Sequence, residues 1–341
     1  MMDRTVDISV VIPVYNAAKT VAATVESILG QKGCSFEIIL VDDGSTDSSG
    51  AVCDSLAASD DRVRVLHQVN KGVSAARNAG IEAASGTYVM FSDSDDILKE
   101  GAFKALLHED YDFIVGGFEK VFNDGKTEVY HPEMTDSFDG GGLFDALVNE
   151  KECYLLNSPC FKLFRRSVIE DDHVRFVEGL SYAEDKIFVQ TFLCYADRCL
   201  TVHEVVYSYI LRDASLSSDL VSDRHIAQIM ILLEEYSALI PRLSERYPNS
   251  TKVASLYHND LISRYVCRVL TVFMLRKSAF MNVEVLNKLY EYMDGDRPLG
   301  LFSVRPGQIL NVALYKIGSA RLSSAVYSFT STIVGWFHKI D

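Results

Sequence analysis

Positive charge is scarce in this sequence of 341 residues, in which 33 Lys and Arg face 47 Asp and Glu for a formal net charge of −14. Nucleic-acid polymers are bound through dense basic surfaces that contact phosphates. The charge balance therefore excludes nucleic acid as a partner. The composition is 48% hydrophobic and 23% charged, which excludes a mainly disordered chain.

Long hydrophobic segments are also missing. The N-terminus has no apolar core of the kind that defines a signal peptide, and an uncharged stretch near the C-terminal end, 325–337, has 13 residues. A transmembrane helix needs about 20. The seven cysteines are odd in number and include no Cys-x-x-Cys pair, which disfavours a zinc site or a disulfide framework. We therefore expect a cytoplasmic protein.

Two common phosphate-binding motifs are absent, namely G-x-x-x-x-G-K-[ST] and a G-x-G-x-x-G after the first predicted strand. Both motifs use Gly-rich loops whose backbone cradles phosphate groups. A P-loop enzyme and a dinucleotide-dependent enzyme accordingly lose their main support.

The first hundred residues alternate strand-like and helix-like patterns. Short apolar runs predict the strands, and apolar residues at helical spacing predict the helices between them. In chain order the predicted elements are a strand at 8–14, a helix at 17–29, a strand at 36–41, a helix at 47–58, a strand at 62–68, a helix at 74–84 and a strand at 88–91. This alternation is typical of an α/β fold with an open, mostly parallel Rossmann-like sheet and flanking helices.

The rest of the chain divides into two further parts. Residues 110–215 are mixed, with a Gly-rich turn expected at 140–142 and a pair of strands expected within 200–211. From about residue 221 the pattern is helical, and prolines such as Pro241 suit helix ends or first turns. We therefore expect two half-domains, at 1–110 and 111–217, followed by a helical C-terminal region at 218–341.

Polar side chains follow three of the four predicted strands: Tyr15 and Asn16 the first, residues 42–45 the second, and residues 93–96 the fourth. Ligands of open α/β sheets bind at the carboxyl ends of the strands. Each group alone could be turn or helix-cap chemistry, and residues 44–47 suit a cap as well as a site. Their coincidence at one edge indicates a ligand site.

Asp93 and Asp95 directly follow a buried strand, so their carboxylates repel each other unless a cation lies between them. Mg2+ and Mn2+ commonly bind through one or two carboxylates together with substrate phosphate oxygens. The alternative is an acidic helix cap, worth about 0.3–1 kcal/mol. Lys71 and Arg77 are candidate cations for a phosphate group, although Lys71 could be a solvated loop charge and Arg77 a surface helix residue.

Four segments, in this order and spacing, closely resemble the family-2 glycosyltransferases: 12–16 (IPVYN), 41–47 (VDDGSTD), 74–80 (SAARNAG) and 91–96 (FSDSDD). Weaker similarity to the acceptor half of bacterial cell-surface polysaccharide members continues through 162–167, 174–180, 184–185 and 209–217. The resemblance implies an inverting enzyme of the GT-A fold that uses a nucleotide-diphosphate sugar.

For the donor, the resemblance implies that Pro13 and Tyr15 flank the nucleobase and that Asp42 accepts a hydrogen bond from its edge, which favours uracil and hence a UDP-sugar. Asp95 would bind Mn2+ or Mg2+ directly, and Asp93 would lie nearer the ribose and the metal. Asp96 would support the turn. The implied nucleotide-sugar-binding residues are Pro13, Tyr15, Asn16, Asp42, Gly44, Ser45, Lys71, Ala75, Arg77, Asp93, Ser94 and Arg212.

Within this set, Arg77 would help to hold the diphosphate, and Arg212 would reach either the diphosphate or the acceptor. An inverting transfer also needs a base on the face of the sugar opposite the leaving group. By the resemblance Asp185 is that base, and Glu184 is its alternative or its support. A helix cap is the other interpretation of Asp185.

The sequence departs from the family pattern at three places. Ile97 stands where many relatives have an aromatic residue, and Ala183 stands where a Gly often precedes the Glu-Asp pair. The segment 209–215 matches only at Tyr209, Arg212 and Ser215.

The basic segment is residues 298–340, which contain four Lys or Arg and no Asp or Glu. With apolar residues at helical spacing, it suits either contact with the anionic inner face of the cell membrane or packing on the catalytic domain or a partner. The implied acceptor is lipid-linked or an oligosaccharide, and membrane contact would fit the former.

Two other functions remain open. A non-catalytic sugar-nucleotide-binding scaffold would keep the fold but would need no base. A nucleotidyltransferase would share the sheet and the metal, but it would carry a basic Gly-rich loop after the first strand, and residues 16–19 form no such loop.

Overall fold

A computed structural model describes residues 6–147, 152–180, 182–212 and 223–250, together with Val253. The strands are, in chain order, β1 (Ile8–Val14), β2 (Phe36–Asp42), β3 (Val63–His67), β4 (Tyr88–Phe91), β5 (Ile97–Leu98), β6 (Phe113–Val121), β7 (Thr127–Tyr130), β8 (Asp136–Phe138), β9 (Lys162–Arg165) and β10 (Cys199–Ile210). The helices are α1 (Val21–Leu29), α2 (Ser49–Ser59), α3 (Val73–Ala83), α4 (Ala102–Leu106), α5 (Gly140–Leu147), α6 (Arg166–Asp171), α7 (Glu184–Leu193) and α8 (Asp223–Arg246). A 3₁₀ helix spans Glu152–Leu156.

The first four strands form the parallel half of one sheet. Their order is β3-β2-β1-β4, and all three neighbouring pairs are parallel. Strands β2 and β4 are buried along their whole length, as expected of strands covered on both faces. The predicted alternation of strands and helices is confirmed, and it brings the carboxyl ends of β1, β2 and β4 to one edge.

Pro13 lies in a central strand, where the missing N–H of proline usually breaks the hydrogen-bond ladder. Strand β1 pairs with β4 only as far as Val11, whose carbonyl accepts a hydrogen bond from the N–H of Ser92. Backbone groups alternate sides along a strand, so Pro13 faces the same side as Val11. On that side of β1 no β4 residue pairs with Pro13, because β4 ends at Phe91. The proline therefore costs no ladder hydrogen bond.

The second half of the sheet is mixed. After β4 the order is β9-β6-β10-β5; β9 is antiparallel to β4 and β6, whereas β6 and β10 are parallel. An aromatic cluster of Phe91, Phe164, Phe176 and Phe188 fills the centre, and the rings of Phe176 and Phe188 stack at 4.0 Å. This cluster fixes α7 against β4.

The expected Gly-rich turn at 140–142 is wrong, because these residues form the first turn of α5. Asp139 begins the helix, since its Oδ1 accepts a hydrogen bond from the N–H of Gly142 at 2.6 Å. A Cβ at Gly140 would overlap the hydroxyl of Tyr247, and one at Gly141 would lie 2.8 Å from the same ring. These glycines allow a close approach of Tyr247 rather than a turn.

The expected pair of strands within 200–211 is also wrong, because β10 runs as one strand from Cys199 to Ile210. Its register against β6 shifts between Thr201 and Val205 and again between Val205 and Tyr207. A bulge of this kind interrupts the two-residue alternation without ending the strand. The interruption accounts for the sequence pattern of two strands.

Pro241 lies inside α8 rather than at a helix end. An interior proline costs about 3 kcal/mol. Buried apolar residues lie on both sides of it, among them Tyr236, Ile240 and Leu243, and burial of several such side chains at about 1.5–3 kcal/mol each offsets that cost.

The described residues belong to two units. One holds 6–212 with Glu245–Ser250, and the other holds α8 up to Ser244 together with Val253. None of the helices in the described ranges is long and apolar enough to cross a membrane. Ser215 and the basic segment 298–340 lie outside the described residues.

Candidate active site

Asn16 ties the carboxyl end of β1 to the loop after β2. Its Oδ1 accepts hydrogen bonds from the N–H groups of Thr46 (2.8 Å) and Asp47 (3.3 Å), and its own N–H donates to Oγ of Ser45 (3.1 Å). Its φ of 52° is a left-handed conformation in which Asn is enriched. Tyr15, beside this junction, is 50% exposed. The junction therefore presents an aromatic ring to solvent at the sheet edge.

Asp42 is buried at the end of β2 and accepts two hydrogen bonds. The N–H of Ser45 donates to its Oδ1 at 3.0 Å, and Nδ1 of His67 lies 3.0 Å from its Oδ2. Burial opposes ionisation of Asp42, but these hydrogen bonds outweigh it and lower the pKa. Gly44, two residues further along the chain, has a φ of 67°, which glycine adopts at little cost. Asp42 is therefore held as a carboxylate at a fixed position.

Asp43 anchors the loop 68–72. Its Oδ1 accepts hydrogen bonds from Nε2 of Gln68 (2.6 Å) and the N–H of Lys71 (2.8 Å), and its Oδ2 accepts one from the N–H of Gly72 (2.8 Å). Three donors therefore satisfy this buried carboxylate without a metal. The side chain of Lys71 is exposed on the same loop.

Arg77 is the centre of the site and only 3% exposed, which excludes the surface position considered from the sequence. Its Nη1 donates to Oδ1 of Asp185 at 2.5 Å, and its Nη2 donates to Oδ1 of Asp93 at 3.0 Å. Oε1 of Glu184 lies 3.7 Å from Nη1. The guanidinium also lies over the ring of Phe176, 5.2 Å from its centre. Carboxylates from two distant parts of the chain thus converge on one buried cation.

Helix α3 places Arg77 through residues of the segment 74–80. The hydroxyl of Ser74 donates to the carbonyl of Leu180 at 3.0 Å. Asn78 forms a two-way pair with the backbone of Phe176, both bonds measuring 2.9 Å. At Gly80 a Cβ would lie 2.2 Å from Cγ1 of Val11. The segment therefore joins α3 to the loop before α7 on one side and to β1 on the other.

Asp185 and Glu184 occupy the first turn of α7, where the helix dipole favours carboxylates. Burial raises the pKa of Asp185 to about 7; the Arg77 charge opposes this shift, while Glu184 and Asp93 add to it. Burial likewise raises the pKa of Glu184, against the effect of Arg77. Asp185 does not cap the helix, because the capping position is Ala183.

Ala183 has a φ of 59°, a left-handed conformation that favours glycine. This geometry explains the Gly often found there in the family that the sequence resembles.

Asp96 fixes the turn after β4, as the sequence indicates. It is fully buried and accepts hydrogen bonds from the hydroxyl of Tyr207 (2.8 Å) and the N–H of Ile210 (2.9 Å). Burial and the nearby Asp93 raise the pKa of Asp96 to about 8. The hydroxyl oxygen of Tyr207 also accepts a hydrogen bond from the N–H of Asp93 at 3.1 Å. Tyr207 and Ile210 of strand β10 therefore fix the position of the turn.

Asp95 lies at the exposed tip of the same turn. Burial and the neighbouring Asp93 raise the pKa of Asp95, which Arg212 opposes. Nη2 of Arg212 donates to the carbonyl of Asp95 at 3.1 Å, and its Nε lies 3.7 Å from Oδ2. The side chains of Asp93 and Asp95 remain 34% and 43% exposed. Both carboxylates are therefore open to a ligand.

The predicted site residues accordingly form two groups. One surrounds Arg77 and the turn 93–96, with Asp185 and Glu184 opposite Asp93, and the other lies at the ends of β1 and β2. Between them Ala75 is buried in the first turn of α3, and Ser94 is half-buried at the tip of the turn.

Tyr207 and Lys162 are two residues of this region that the sequence did not predict. Lys162 is fully buried in β9, and its Nζ donates to the carbonyls of Ser158 (2.6 Å) and Cys160 (3.2 Å). Burial lowers the pKa of Lys162 well below its usual value. A lysine at the start of an apolar strand was the available signal for Lys162, whereas a tyrosine within a strand such as β10 is no signal at all.

Comparison with known proteins identifies the family and several relatives of this chain. The profile of glycosyl transferase family 2 matches residues 9–172. The chain is 35% identical over 220 residues to glycosyltransferase GlyG of Streptococcus pneumoniae, covering 61% of this chain and 72% of the relative. It is 31% identical over 278 residues to the uncharacterized glycosyltransferase EpsJ of Bacillus subtilis, covering 76% and 75%.

Solved structures share the fold. TarS residues 1–349 of S. aureus, in complex with UDP-GlcNAc, superpose with a TM-score of 0.64 at 20% identity, over 95% of this chain and 90% of the other. The mannosyltransferase PcManGT of Pyrobaculum calidifontis, in complex with GDP-Man and Mn2+, gives a TM-score of 0.52 at 15% identity, over 99% and 89%. The predicted GT-A fold is confirmed.

Proposed function

This chain belongs to glycosyltransferase family 2, and on that premise we propose that it transfers a sugar, with inversion, from a UDP-sugar to a hydroxyl group in the synthesis of a cell-surface polysaccharide. The similarity to relatives such as the succinoglycan biosynthesis protein ExoO of Rhizobium meliloti and the minor teichoic acid biosynthesis protein GgaB of Bacillus subtilis supports the polysaccharide role. The complex of TarS with UDP-GlcNAc supports the nucleotide.

The observation that carries the proposal is the position of Arg77 between Asp93 and Asp185. Asp93 belongs to the turn expected to hold the donor, and Asp185 is the expected base. An inverting displacement needs the leaving group of the donor and the base on opposite sides of the anomeric carbon. The guanidinium of Arg77 contacts the carboxylates of both Asp93 and Asp185 and so fixes their relative position. Because both terminal nitrogens of Arg77 already donate to these carboxylates, we assign Arg77 to position them and assign the diphosphate to Lys71 and Arg212.

Asp185 suits the role of general base. Its pKa of about 7 lies near neutral pH, where a base combines a populated ionised form with adequate proton affinity. In our mechanism Oδ of Asp185 takes the proton of the acceptor hydroxyl as the hydroxyl oxygen bonds to the anomeric carbon and the bond to the diphosphate breaks. Glu184 also lies beside Arg77 and supports the ion pair between Arg77 and Asp185.

Asp93 and Asp95 fit a divalent cation. Both carboxylates are partly exposed. Burial and, next to it, the charge of Asp93 raise the pKa of Asp95, so a cation between the two carboxylates would relieve their repulsion. Among the described residues no group of three or more potential ligands is found, which is compatible with Mn2+ or Mg2+ because these ions often take one or two carboxylates and complete their shell with phosphate and water. When bound there, the ion would neutralise charge on the leaving diphosphate.

The ends of β1 and β2 suit the nucleobase. The half-exposed ring of Tyr15 supplies a stacking surface next to Pro13. Asp42 accepts two hydrogen bonds, and a carboxylate has about four acceptor positions, so it retains capacity for the ring N–H of uracil. Asn16, Gly44 and Ser45 would shape this pocket. A lipid-linked or oligosaccharide acceptor and contact with the inner membrane through the C-terminal helices remain predictions.

The test is a screen of UDP-, GDP- and dTDP-sugars for Mn2+-dependent binding and donor hydrolysis. Asp95→Asn should weaken donor binding, whereas Asp185→Asn should leave binding intact and abolish transfer. Asp61→Asn, an exposed change on the loop before β3, is the matched control and should behave like the parent. Parent-like turnover by both site variants would contradict the assignment, and preference for another nucleotide would contradict uracil.

A further inference from the structure

A strip of side chains crosses one face of the sheet beside the turn 93–96. Residues paired in register project from the same face of a sheet. The register places Tyr209 of β10 beside Lys120 of β6, and Lys120 beside Glu128 of β7. The neighbouring row on this face is Tyr207, Phe118 and Tyr130. The strip therefore runs from the donor turn across three strands.

The strip is buried at one end and open at the other. Tyr207 is buried and donates to Asp96, whereas Tyr130 is half-buried and stacks on Phe118 with ring centres 5.1 Å apart. Tyr154 of the 3₁₀ helix is 43% exposed and lies edge-on to Tyr130 at 5.2 Å. Nζ of Lys120 lies 4.8 Å from the centre of Tyr130 and 4.3 Å from that of Tyr154. The open end thus consists of two rings around an ammonium group.

A cavity of about 550 Å³ opens beside the strip, at the hairpin between β6 and β7. Its walls include Phe122, Asn123, Lys126, Leu211 and Arg212. Arg212 also donates to the carbonyl of Asp95, so the cavity begins where the donor turn ends. Its volume lies in the range of about 300–1,000 Å³ that is usual for ligand sites.

We propose that this surface, which we call the hairpin face (Lys120, Tyr130, Tyr154 and the cavity walls), is the acceptor site and binds a saccharide. The inference rests on the proposed glycosyl transfer, since it assigns the second substrate of the same site. A pyranose ring has an apolar C–H face within a rim of hydroxyl groups. Aromatic rings match the apolar face, and amide and ammonium groups match the hydroxyl groups.

The chemistry of the walls favours a saccharide over a lipid chain. A lipid chain would need continuous apolar lining, but Lys126 and Asp124 form an ion pair of 2.8 Å in the wall, and Asn123 and Arg212 add polar groups. Arg212, which lines the cavity, contacts Asp95, so the hairpin face lies next to the proposed donor site. The attacking hydroxyl group of the acceptor must approach the donor from a neighbouring surface of this kind.

The test uses p-nitrophenyl glycosides of common pyranoses as acceptors, with the donor identified by the nucleotide-sugar screen. Tyr154→Ala should raise the acceptor KM about fivefold, the size of one aromatic contact, with the donor KM unchanged. Tyr154→Phe keeps the aromatic ring and should raise the acceptor KM much less. Val129→Ala is the matched control, because Val129 is 50% exposed on β7 and pairs with Glu119 on the opposite face.

Binding of the same glycosides is also measured by saturation-transfer NMR, and binding of UDP with Mn2+ by calorimetry. If UDP binds but Tyr154→Ala and Asn123→Ala leave both glycoside KM and NMR signals unchanged, or if the parent binds no glycoside, the hairpin face is not a saccharide site and the proposed transfer still stands. If the parent neither binds UDP nor uses any nucleotide sugar, the proposed function itself fails.

Discussion

Replacing Arg77 with methionine should destabilise the fold strongly, and more so at alkaline than at acidic pH. Removing one partner of a buried ion pair costs about 3–5 kcal/mol because the remaining charge stays buried. The carboxylates of Asp185 and Asp93 are 25% and 34% exposed, so solvent screens part of this cost. We therefore expect a loss of about 3 kcal/mol in the free energy of unfolding at about pH 8.

The pH dependence follows from the direction of the pKa shifts. Arg77 lowers the pKa of Asp185 and Glu184, so both pKa values rise further in the variant. A carboxyl group with a raised pKa binds its proton more tightly when folded, and it therefore removes stability as pH rises through the folded pKa. At about pH 5, below the pKa of about 7 of Asp185, this carboxyl group is protonated, so its share of the cost is absent. The change in packing and the lost contact with Asp93 remain, and we expect them to cost about 1 kcal/mol.

The assay is urea unfolding followed by far-UV circular dichroism at both pH values and constant ionic strength. Arg62→Met is the control, because Arg62 is 43% exposed and pairs with Asp60, whose pKa of about 2 lies below the range. Its cost should stay under about 1 kcal/mol at either pH. An equal cost of Arg77→Met at both pH values would refute the reasoning, because a loss of packing alone does not titrate.

Three further predictions concern residues around the site. The kcat/KM of transfer should rise with pH through about 7, the pKa of Asp185, and level off above it; a flat pH–rate profile across this range would exclude Asp185 as the base. Ala183→Gly should raise the Tm in thermal unfolding, because the left-handed φ of 59° costs alanine about 1–2 kcal/mol. The greater entropy of the unfolded chain with glycine offsets only ~0.4–1 kcal/mol of this gain. A lower Tm would contradict this account. Gly80→Ala should cost about 1–3 kcal/mol through overlap with Val11, and Val11→Ala in the same chain should recover part of it. An unchanged Tm for Gly80→Ala would show that α3 does not pack tightly on β1.

The first hundred residues could largely be predicted because three of their strands, β1, β2 and β4, are nearly continuous apolar runs. Strands such as β2 are buried on both faces, which yields an apolar run bounded by turn residues. The carboxylates of Asp93 and Asp95 could be predicted for the same reason, because they stand directly after such a run. Local pattern was sufficient wherever an element was covered on both faces.

The pairing of Arg77 with Asp185 could not be predicted from local pattern, because 108 residues separate them and an arginine on a helix usually faces solvent. The only local hint is the small residues around it, since Ala76 and Gly80 allow α3 to sink against the sheet. The predictions for the middle of the chain were wrong for related reasons. Gly140 and Gly141 leave room for the distant Tyr247, and the bulge in β10 interrupts the alternation of that strand, so both misleading signals came from contacts outside the local sequence.

The anchoring of the loop 68–72 by Asp43 has a consequence for engineering. Two of its three hydrogen bonds come from backbone N–H groups, those of Lys71 and Gly72, and any residue except proline can supply such a donor. The side chains at 69 and 70 can therefore be exchanged while the loop keeps its attachment. Val69, 73% exposed on this loop, stands close to Gly44, whose added Cβ would lie 3.3 Å from the Val69 carbonyl carbon. Substitutions at 69 and 70 therefore offer a way to change the edge of the proposed nucleobase site without refolding the sheet, while Lys71, proposed to hold the diphosphate, stays in place.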